Sequence, residues 1–489
     1  MTKLKGLKTA WAVSLLCAAS AIASPAQTFN TLASFDGADG TGPDASLVQG
    51  RDGNLYGTTQ LGGGNGSDSG AGTVYEITPE GKLTALYSFC AQQNCADGQY
   101  PEGLVLGSDG NFYGTTQYSG GTIFKVTPKG NLTTLYTFCP QDNCTGAYWP
   151  SGPLVESMDG NFYGLTSYGG NGSCGEYSCG TAFKITRAGV LTVVHNFEFS
   201  DGAYPVGSLV LGGDGNFYGV TEYGGDLRCY IGDDNQDGCG VVFKMSAAGD
   251  LTVLHTFKIY DGSIPIAGLV QGTDGNFYGM TREGGDVTCN PPHGCGTIFT
   301  IARHSGLTTL FKFRSSTGPG PSDPSFGALI QGTDGNLFGT TGRGGVGDVG
   351  TIFRITPGGS FTELHSFDGA DGAYPFGGLR QATNGIFYGT AGSGGANLYD
   401  GTVFSLDTGL GAFVTFVRGA GKVGQTGGIL GQGFTGTTSV LLNEVPASFT
   451  VVSDTYIRAT VPAGATTGYV TVTTPGGTLK SNVPFRVIR

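Results

Sequence analysis

The residues with the clearest metal-binding chemistry lie in one acidic run. Asp233, Asn235 and Asp237 place oxygen side chains at alternate positions, and Gly238 follows where a calcium loop turns. The twelfth position of such a loop is Lys244 here, whereas an EF-hand has a bidentate Glu. The run is interpreted either as a weak calcium site or as a solvated acidic loop. No other cofactor is expected.

A second chemical pattern is a bulky residue placed immediately before proline. Its aromatic members are Tyr100, Trp149, Tyr204 and Tyr374, and a further copy has Ile264. Exposed aromatic rings can stack on sugars, but such rings also fill the space between neighbouring sheets. Ligand contact and packing therefore both stay open for these residues.

Three histidines and a recurring Asp-Gly-Asn turn are interpreted as structural. His195, His255 and His365 occupy a strand position that elsewhere holds Tyr87 or Phe311, which is typical of a packing position. Asp and Asn suit tight turns and Gly supplies positive φ, so the repeated turn is expected to serve the fold. The sequence has no nucleophile elbow, HExxH, P-loop or dinucleotide motif, and no catalytic residue is predicted.

The cysteines indicate local disulfides. All 11 except Cys17 fall into close pairs whose spacing differs from CxxC and Cys/His metal motifs. The predicted bridges are Cys90–Cys95, Cys139–Cys144, Cys174–Cys179, Cys229–Cys239 and Cys289–Cys295. Disulfides of this kind persist in oxidising compartments outside the cytosol.

The elements that position these residues form an internal repeat. An Asp-Gly-Asn-[Phe/Leu]-[Tyr/Phe]-Gly motif, with a degenerate seventh copy at Asn384, recurs at intervals of about 50 to 60 residues. The six complete copies begin at Asp52, Asp109, Asp159, Asp214, Asp274 and Asp334. Each unit reads as four short antiparallel strands, which is the pattern of a propeller blade. We therefore predict an all-β chain with a seven-bladed β-propeller of four-stranded blades over residues 27–411.

Closure of the last blade needs one more strand. The segment that ends at Phe35 resembles the fourth strand of the other units, so we expect it to complete the seventh blade and remove open edges. The competing candidate is Phe413–Phe416. Residues 412–489 break the period and alternate in short strands, which predicts a small Ig-like β-sandwich.

Composition and the N-terminus indicate export. The 91 Gly without a collagen period exclude a collagen, and 30 Phe with 22 Tyr exclude wholesale disorder. Lys3, Lys5 and Lys8 precede an apolar run that is too short to span a bilayer, so residues 1–26 are predicted to be a signal peptide. Its removal lowers the net charge from −12 to −15, which argues against nucleic acid and anionic membrane as partners. We expect a secreted, cell-surface or periplasmic protein without a membrane span.

Two family resemblances follow from these motifs. The recurring D-G-N-F-Y-G-T-T and G-T-I-F-K-[IV]-T-P segments resemble the GloVer tandem repeat of exported bacterial proteins. The tail, with G-Q-G-F and A-T-V-P-A-G-A-T-T-G, resembles an IPT/TIG immunoglobulin-like domain. It departs from that family at Gly427-Gly428, where a β-branched pair usually stands, which predicts an irregular strand there. The resemblance implies an extracellular repeat protein and brings no established activity.

The sequence favours a non-catalytic extracellular binding or adhesion module whose partner is a glycan or a protein. The alternative is a carbohydrate-active propeller hydrolase or lyase with an accessory Ig-like module. An enzyme is expected to have a deep axial cleft that holds two or more ionisable groups with shifted pKa values. The sequence carries no signal for the oligomeric state.

Overall fold

The computed structural model describes residues 27–488 apart from 67–68, 140–145, 173, 175–177, 230–237, 303–305, 315–321 and 325–326. Strands form almost all of the regular structure in these residues, with two short 3-10 turns, η1 (Gln93–Cys95) and η2 (Tyr118–Gly120). Within the same residues, no helix has the length and apolar character needed to cross a membrane.

Thirty strands form the repeat region. Their bounds are β1 (Thr28–Ser34), β2 (Val48–Gln49), β3 (Leu55–Thr59), β4 (Thr73–Ile77), β5 (Leu83–Ser88), β6 (Pro101–Leu106), β7 (Phe112–Thr116), β8 (Thr122–Val126), β9 (Leu132–Thr137), β10 (Tyr148–Glu156), β11 (Phe162–Tyr168), β12 (Thr181–Ile185), β13 (Leu191–Asn196), β14 (Ala203–Leu211), β15 (Phe217–Tyr223), β16 (Val241–Met245), β17 (Leu251–Thr256), β18 (Ser263–Pro265), β19 (Val270–Gln271), β20 (Phe277–Glu283), β21 (Thr297–Ile301), β22 (Leu307–Lys312), β23 (Ser322–Pro324), β24 (Ile330–Gln331), β25 (Leu337–Arg343), β26 (Thr351–Ile355), β27 (Phe361–Ser366), β28 (Arg380–Gln381), β29 (Phe387–Ala391) and β30 (Thr402–Asp407).

These strands pair into seven antiparallel sheets. Sheets 1 to 4 are β2–β5, β6–β9, β10–β13 and β14–β17, each in sequence order. Sheet 5 (β18–β22) and sheet 6 (β23–β27) have the same order, but their first strand is divided into two pieces that both pair with the second. Sheet 7 has the order β28-β29-β30-β1, so the N-terminal strand lies beside β30 as predicted.

One hydrogen bond recurs between neighbouring sheets. The acceptor is a side-chain oxygen of Gln or Glu at the end of the first strand of a sheet. The donor is a backbone N–H in the first hairpin of the preceding sheet. The acceptor–donor pairs are Glu156–Ser108 (2.7 Å), Gln271–Gly213 (2.8 Å), Gln331–Thr273 (2.8 Å), Gln381–Thr333 (3.0 Å) and Gln49–Thr383 (3.1 Å). The last pair joins sheet 7 to sheet 1, so the first and last sheets meet through the contact that joins successive sheets.

Apolar clusters fill the space between neighbouring sheets. Between sheets 7 and 1, for example, Phe35, Leu47 and Tyr75 pack with Tyr388 and Val403, and each is at most 3% exposed. Burial of several large side chains at every junction supplies the main stabilisation of the region.

The Asp-Gly-Asn turns have the structural role that the sequence predicted. In the first sheet, Asp52 Oδ1 accepts from the backbone N–H of Asn54 at 3.2 Å, and Asp52 Oδ2 accepts from the hydroxyl of Tyr56 at 2.7 Å. The hydroxyl of Tyr113 makes the same contact to Asp109 at 2.8 Å. The carboxylate therefore closes the turn and satisfies the polar end of a buried tyrosine.

Four of the predicted disulfides are present in the described residues. They join Cys90–Cys95, Cys174–Cys179, Cys229–Cys239 and Cys289–Cys295. Cys144, the predicted partner of Cys139, lies outside the described residues. Three of the bridges lie in the loop between the second and third strands of one sheet, and Cys90–Cys95 lies in the connection from sheet 1 to sheet 2. Each closes a short loop, so these disulfides secure loops.

The tail forms a separate sandwich. Its strands are β31 (Thr415–Phe416), β32 (Ala420–Lys422), β33 (Thr426–Leu430), β34 (Ser439–Leu442), β35 (Val445–Pro446), β36 (Phe449–Ser453), β37 (Tyr456–Thr460), β38 (Val470–Thr474), β39 (Gly477–Lys480) and β40 (Arg486–Ile488). Two four-stranded sheets, β31-β33-β37-β36 and β35-β34-β38-β39, enclose an apolar core, and β32 pairs in parallel with β40. β31 thus belongs to the sandwich and does not close the repeat region.

The prediction of an irregular strand at Gly427-Gly428 is wrong. Both glycines lie in β33, where Gly427 pairs with Ala459 and Gly428 with Arg458. A Cβ on Gly428 would approach the Tyr456 hydroxyl to 2.6 Å, so glycine makes room for this ring and leaves the strand regular.

Candidate ligand-binding site

A cavity of about 260 Å³ is lined by residues from all seven repeats, which lie in the first and second strands or directly beside them. Its polar walls include Asp44, Glu102, Gln117, Ser151, Ser167 and Glu222. Because every repeat contributes to this lining, we call it the axial cavity. Its volume is slightly below the range of about 300–1,000 Å³ that is usual for small-molecule sites.

The start of the first strand positions most of this lining. Six repeats have a proline at or near the start of the first strand, and the residue directly after this proline lines the cavity. These residues are Asp44, Glu102, Ser151, Val206, Ile266 and Phe376. Small residues come next because the sheets approach closely. A Cβ on Gly207 would lie 2.4 Å from the backbone nitrogen of Gly268, so this backbone contact requires glycine.

Three carboxyl groups in the axial cavity have raised pKa values, which favour their neutral form. Burial raises the pKa of Asp44 to about 6. Burial and, secondarily, the charge of Asp44 raise the pKa of Glu102 to about 7. Burial also raises the pKa of Glu222 to about 7, although the charge of Arg282 opposes the shift. Each group can therefore either donate or accept a proton near neutral pH.

One carboxyl oxygen in the axial cavity is left without a partner. Asp44 Oδ1 is buried and makes no hydrogen bond to any described residue. A buried polar atom of this kind costs free energy unless a ligand or water satisfies it. The arrangement suits hydroxyl-rich ligands, since protonated carboxyls donate and ionised ones accept hydrogen bonds.

The aromatic residues of the Pro-preceding motif do not line the axial cavity themselves but are close to its lining residues in sequence. Each lies two residues before a lining residue, as Tyr100 does before Glu102 and Trp149 before Ser151. All have left-handed backbones, with φ of 56° at Tyr100, 61° at Trp149, 54° at Tyr204 and 55° at Tyr374. This conformation is unusual for bulky residues and marks a fixed loop geometry.

These aromatics make structural contacts and also leave one ring accessible. The backbone N–H of Tyr100 donates to the Ala71 carbonyl of the preceding sheet at 3.0 Å, and Tyr374 donates likewise to Val349 at 2.7 Å. Trp149 is 40% exposed, and its ring meets that of Tyr168 edge-on at 5.8 Å. Packing thus accounts for the backbone, whereas the Trp149 ring is available to a ligand.

The three strand histidines hold the loops that lead to the cavity. His195 Nε2 lies 3.0 Å from Asp201 Oδ2, and His365 Nε2 lies 2.7 Å from Asp371 Oδ2. His255 Nε2 lies 3.2 Å from Asp261 Oδ2, although this contact lacks hydrogen-bond geometry. Although burial alone raises the pKa of Asp371, hydrogen bonds from His365 and the Asp368 backbone lower it overall. The packing interpretation was therefore incomplete, because each imidazole also meets a loop carboxylate.

The weak calcium site stays a prediction. Asp233, Asn235 and Asp237 lie outside the described residues. Within the described residues, no three His, Cys, Asp or Glu side chains are grouped so that they could hold a metal ion.

Two further cavities lie between the repeat region and the sandwich. One of about 790 Å³ is lined by Val210 and Glu156 from the repeat sheets and by Arg418 and Arg486 from the sandwich. Another of about 430 Å³ is lined by Arg51, Arg418 and other residues of both parts. Val206 lines the axial cavity and Val210 the 790 Å³ cavity, so these cavities lie toward opposite ends of β14.

Similar structures are distant. The extracellular domain of a protein assigned as a hybrid two-component system from B. thetaiotaomicron is 12% identical, with a TM-score of 0.48; the match covers 94% of this chain and 57% of that one. Regucalcin, a calcium-binding protein from Agrobacterium tumefaciens, is 15% identical over 64% of this chain and 90% of its own, with a TM-score of 0.39. A gluconolactonase from Xanthomonas campestris is 11% identical over 63% and 86%, with a TM-score of 0.37. Similarity at this level assigns no activity to the chain.

Sequence comparison is more specific. No curated protein matches the chain significantly. The Gloeobacter/Verrucomicrobia repeat matches residues 19–231 and 225–441, and an IPT/TIG domain matches residues 418–487. Because the repeat covers most of the sequence, the chain belongs to the Gloeobacter/Verrucomicrobia repeat family and carries a C-terminal IPT/TIG domain.

Proposed function

We propose that the seven sheets are the blades of a closed seven-bladed propeller over residues 27–411, with residues 412–489 as the IPT/TIG module. The hydrogen bond between Gln49 and Thr383 supports closure. It joins the first and last sheets in the same way that the hydrogen bond between Gln381 and Thr333 joins the successive sheets 7 and 6. Residues 1–26 lie outside the described residues, and their role as a signal peptide stays a prediction.

We further propose that the protein is an extracellular binding module whose ligand enters the axial cavity. The observation that carries this proposal is the cavity itself, where polar groups from separate repeats converge on one small space. Four disulfides in short loops are in keeping with an oxidising location.

A glycan is the ligand class that this cavity fits best. Sugars present many hydroxyls, and Ser151, Gln117 and the three carboxyl groups offer both donors and acceptors. The partly exposed ring of Trp149 offers an apolar face of the kind that packs against a sugar ring. The small volume favours one terminal sugar residue over an internal stretch of a chain.

A glycan array probed with the mature protein tests this proposal. Glycans that bind are then titrated by calorimetry against wild type, Glu102→Gln and Trp149→Ala. We expect Glu102→Gln to weaken binding about tenfold or more, since it alters a carboxyl group in the cavity wall, and Trp149→Ala to weaken it similarly, since its exposed ring lies two residues before the lining residue Ser151. Tyr399→Ala is the control, because Tyr399 is an aromatic residue, 83% exposed, that belongs neither to the cavity lining nor to the Pro-preceding motif.

A carbohydrate-active hydrolase or lyase is the second candidate. Asp44 and Glu102 favour it, because paired carboxyls with pKa values raised to about 6 and about 7 are suited to proton transfer. Any glycan that binds should therefore be incubated with the protein and analysed for cleaved products. Turnover that Asp44→Asn abolishes would assign the enzyme function, whereas an unchanged glycan supports the binding module.

A further inference from the structure

The 430 Å³ cavity between sheets 1 and 2 and the sandwich is a cleft dominated by arginine. Arg51 comes from the first repeat, and Arg418 and Arg458 come from the sandwich. We propose that this cleft, which we call the arginine cleft, binds the oxyanion of a sugar-sized acidic ligand, a carboxylate or a sulfate ester. The proposal concerns a site separate from the axial cavity and does not depend on it.

The charge of the arginine cleft is opposite to that of the protein. The full chain has a net charge of −12, yet three arginines line the cleft with Asp109 as the only acidic residue among the lining. Asp109 is already engaged: although burial raises its pKa, hydrogen bonds from Asn111 and Tyr113 lower the pKa overall. An anion that enters the cleft therefore meets an excess of positive charge.

Two of the arginines are held in place by contacts that leave some of their N–H groups without a hydrogen bond. Arg51 Nη2 donates to the Ser108 carbonyl at 2.7 Å, and its guanidinium lies over the Tyr456 ring at 4.7 Å. Arg418 Nη2 donates to Glu156 Oε1 at 2.7 Å. The Nη1 group of each arginine makes no hydrogen bond in the described part of the chain and, unlike Nε, is not a buried atom. An oxyanion can satisfy such donors, because the guanidinium fork matches carboxylate and sulfate geometry.

The third arginine of the cleft is Arg458, which comes from the sandwich. Arg458 lies in β37 and is exposed, and it forms no ion pair with any residue that the structure describes. Its β33 neighbour is Gly428, and Gly427 also lines the cleft. Gly428 and Arg458 lie on the same face of the sheet, and the absence of a side chain at Gly428 leaves room for the Tyr456 ring over which Arg51 lies.

The size and lining of the arginine cleft define the ligand class. Its volume suits a molecule of one or two sugar units, within the usual range of about 300–1,000 Å³. Gln425, Thr426 and Ser108 add uncharged polar groups beside the arginines. A uronate or a sulfated monosaccharide offers both an oxyanion for the arginines and hydroxyls for these groups.

The test is calorimetric titration of the full chain with four probes: glucuronate, glucose 6-sulfate, inorganic sulfate and glucose. We expect glucuronate or glucose 6-sulfate to bind, inorganic sulfate to bind more weakly, and glucose to give no heat. Affinity should fall between about 50 mM and about 300 mM NaCl, because screening weakens ion pairing. Equal binding of inorganic sulfate and both acidic sugars would assign the site to a bare oxyanion and overturn the sugar-sized ligand.

Two variants locate the binding. Arg458→Gln should weaken it by about tenfold or more, because it removes one charge-assisted contact from an exposed side chain. Thr426→Trp should block it by filling the cleft, because Thr426 lines the cleft and lies on the same face of β33 as Gly428. Arg343→Gln, at an exposed arginine outside the cleft, is the matched control. Unchanged affinity in both cleft variants, with melting curves like wild type, would overturn the proposal, as would glucose binding as tightly as glucuronate.

Discussion

Gln49 accepts a hydrogen bond at 3.1 Å from the backbone N–H of Thr383, although the two residues are 334 positions apart. Gln49 Nε2 also donates to Thr383 Oγ1 at 3.0 Å. Gln381 makes corresponding contacts to Thr333, 48 positions away. The junction between the chain's first and last repeats is thus built like a junction inside the series.

Replacement of Gln49 by leucine should destabilise this junction. Leucine fits the position, since Leu106 and Leu211 occupy it in sheets 2 and 4, but the Thr383 N–H would lose its partner. We expect a loss of about 1–3 kcal/mol in the free energy of unfolding. Urea denaturation measures the change, with Gln381→Leu as the matched internal variant. A Gln49→Leu protein as stable as wild type, beside a destabilised Gln381→Leu protein, would contradict ring closure.

The N-terminal strand should be needed for a monomeric protein. Residues Thr28 to Ser34 pair with β30, and the Phe29 ring stacks on His365 at 3.6 Å. Deletion of Thr28–Ser34 exposes the edge of β30 and should promote aggregation and lower the melting temperature. Light scattering and melting measure both effects.

A peptide supplies the control for this deletion. A synthetic peptide of residues 27–36 should restore the monomer, whereas a scrambled peptide should not. A deletion protein that stays monomeric with an unchanged melting curve would show that this strand is dispensable.

Stability should fall as the pH rises because of the axial carboxyl groups. In the folded protein the pKa is raised to about 6 for Asp44 and to about 7 for Glu102, so the folded state holds protons that the unfolded state has released. The free energy of unfolding therefore decreases as pH rises from about 4 to about 7. Asp44→Asn and Glu102→Gln should each flatten this dependence and add on the order of 2 kcal/mol at about pH 8.

Urea denaturation at about pH 4.5 and about pH 8 measures the pH effect, since this interval spans the carboxyl titrations. Glu80→Gln is the control, because Glu80 is exposed and lies outside the axial cavity. A pH dependence that both axial variants leave as steep as in wild type would contradict the account.

Glu156 should fasten the sandwich to the third sheet. Its side chain is 4% exposed and meets Arg187 at 2.5 Å and Arg418 at 2.7 Å. Glu156→Gln keeps the shape and the acceptor for the Ser108 backbone, as glutamine does in other repeats, but removes the charge between two arginines. We expect a loss of about 1–3 kcal/mol, since Arg187 is partly exposed and its ion pair is screened.

Hydrogen exchange locates this effect. Amides of β31 and β32 should exchange faster in Glu156→Gln, whereas those of β20 and β21 in sheet 5 should not. Glu198→Gln, an exposed change, serves as the control. Unaltered exchange in β31 and β32 would mean that other contacts hold the sandwich.

The repeat was readable from the sequence because its physical requirements recur. In five of the six complete Asp-Gly-Asn turns the carboxylate closes the hairpin and binds the tyrosine four residues later, as Asp52 does for Tyr56. The same residue types therefore return from unit to unit, and the strand order follows from them. The N-terminal strand was predictable for the same reason, since Phe35 repeats the strand end seen at Phe89.

The axial cavity was missed because its residues do not recur. The position after the strand-leading proline is Asp44 in one repeat, Glu102 in the next and Val206 in another, so it looks variable. Convergence arises only when the sheets surround one point. The available signal was departure from the repeat pattern: ionisable residues where other copies have Val, Ile or Phe. Glu156, which replaces the usual glutamine, could have been found in the same way.

The most direct test of the central claim is to fill the axial cavity and measure glycan binding. Val206→Trp places a large ring in the cavity, while Val210→Trp, in the same strand, fills the cavity beside the sandwich instead. Both proteins are compared with wild type by calorimetry on the strongest glycan from the array, after melting curves confirm that each is folded. The account predicts that Val206→Trp abolishes binding and that Val210→Trp retains it. Binding of wild-type strength to a folded Val206→Trp protein would contradict the assignment of the axial cavity as the ligand site.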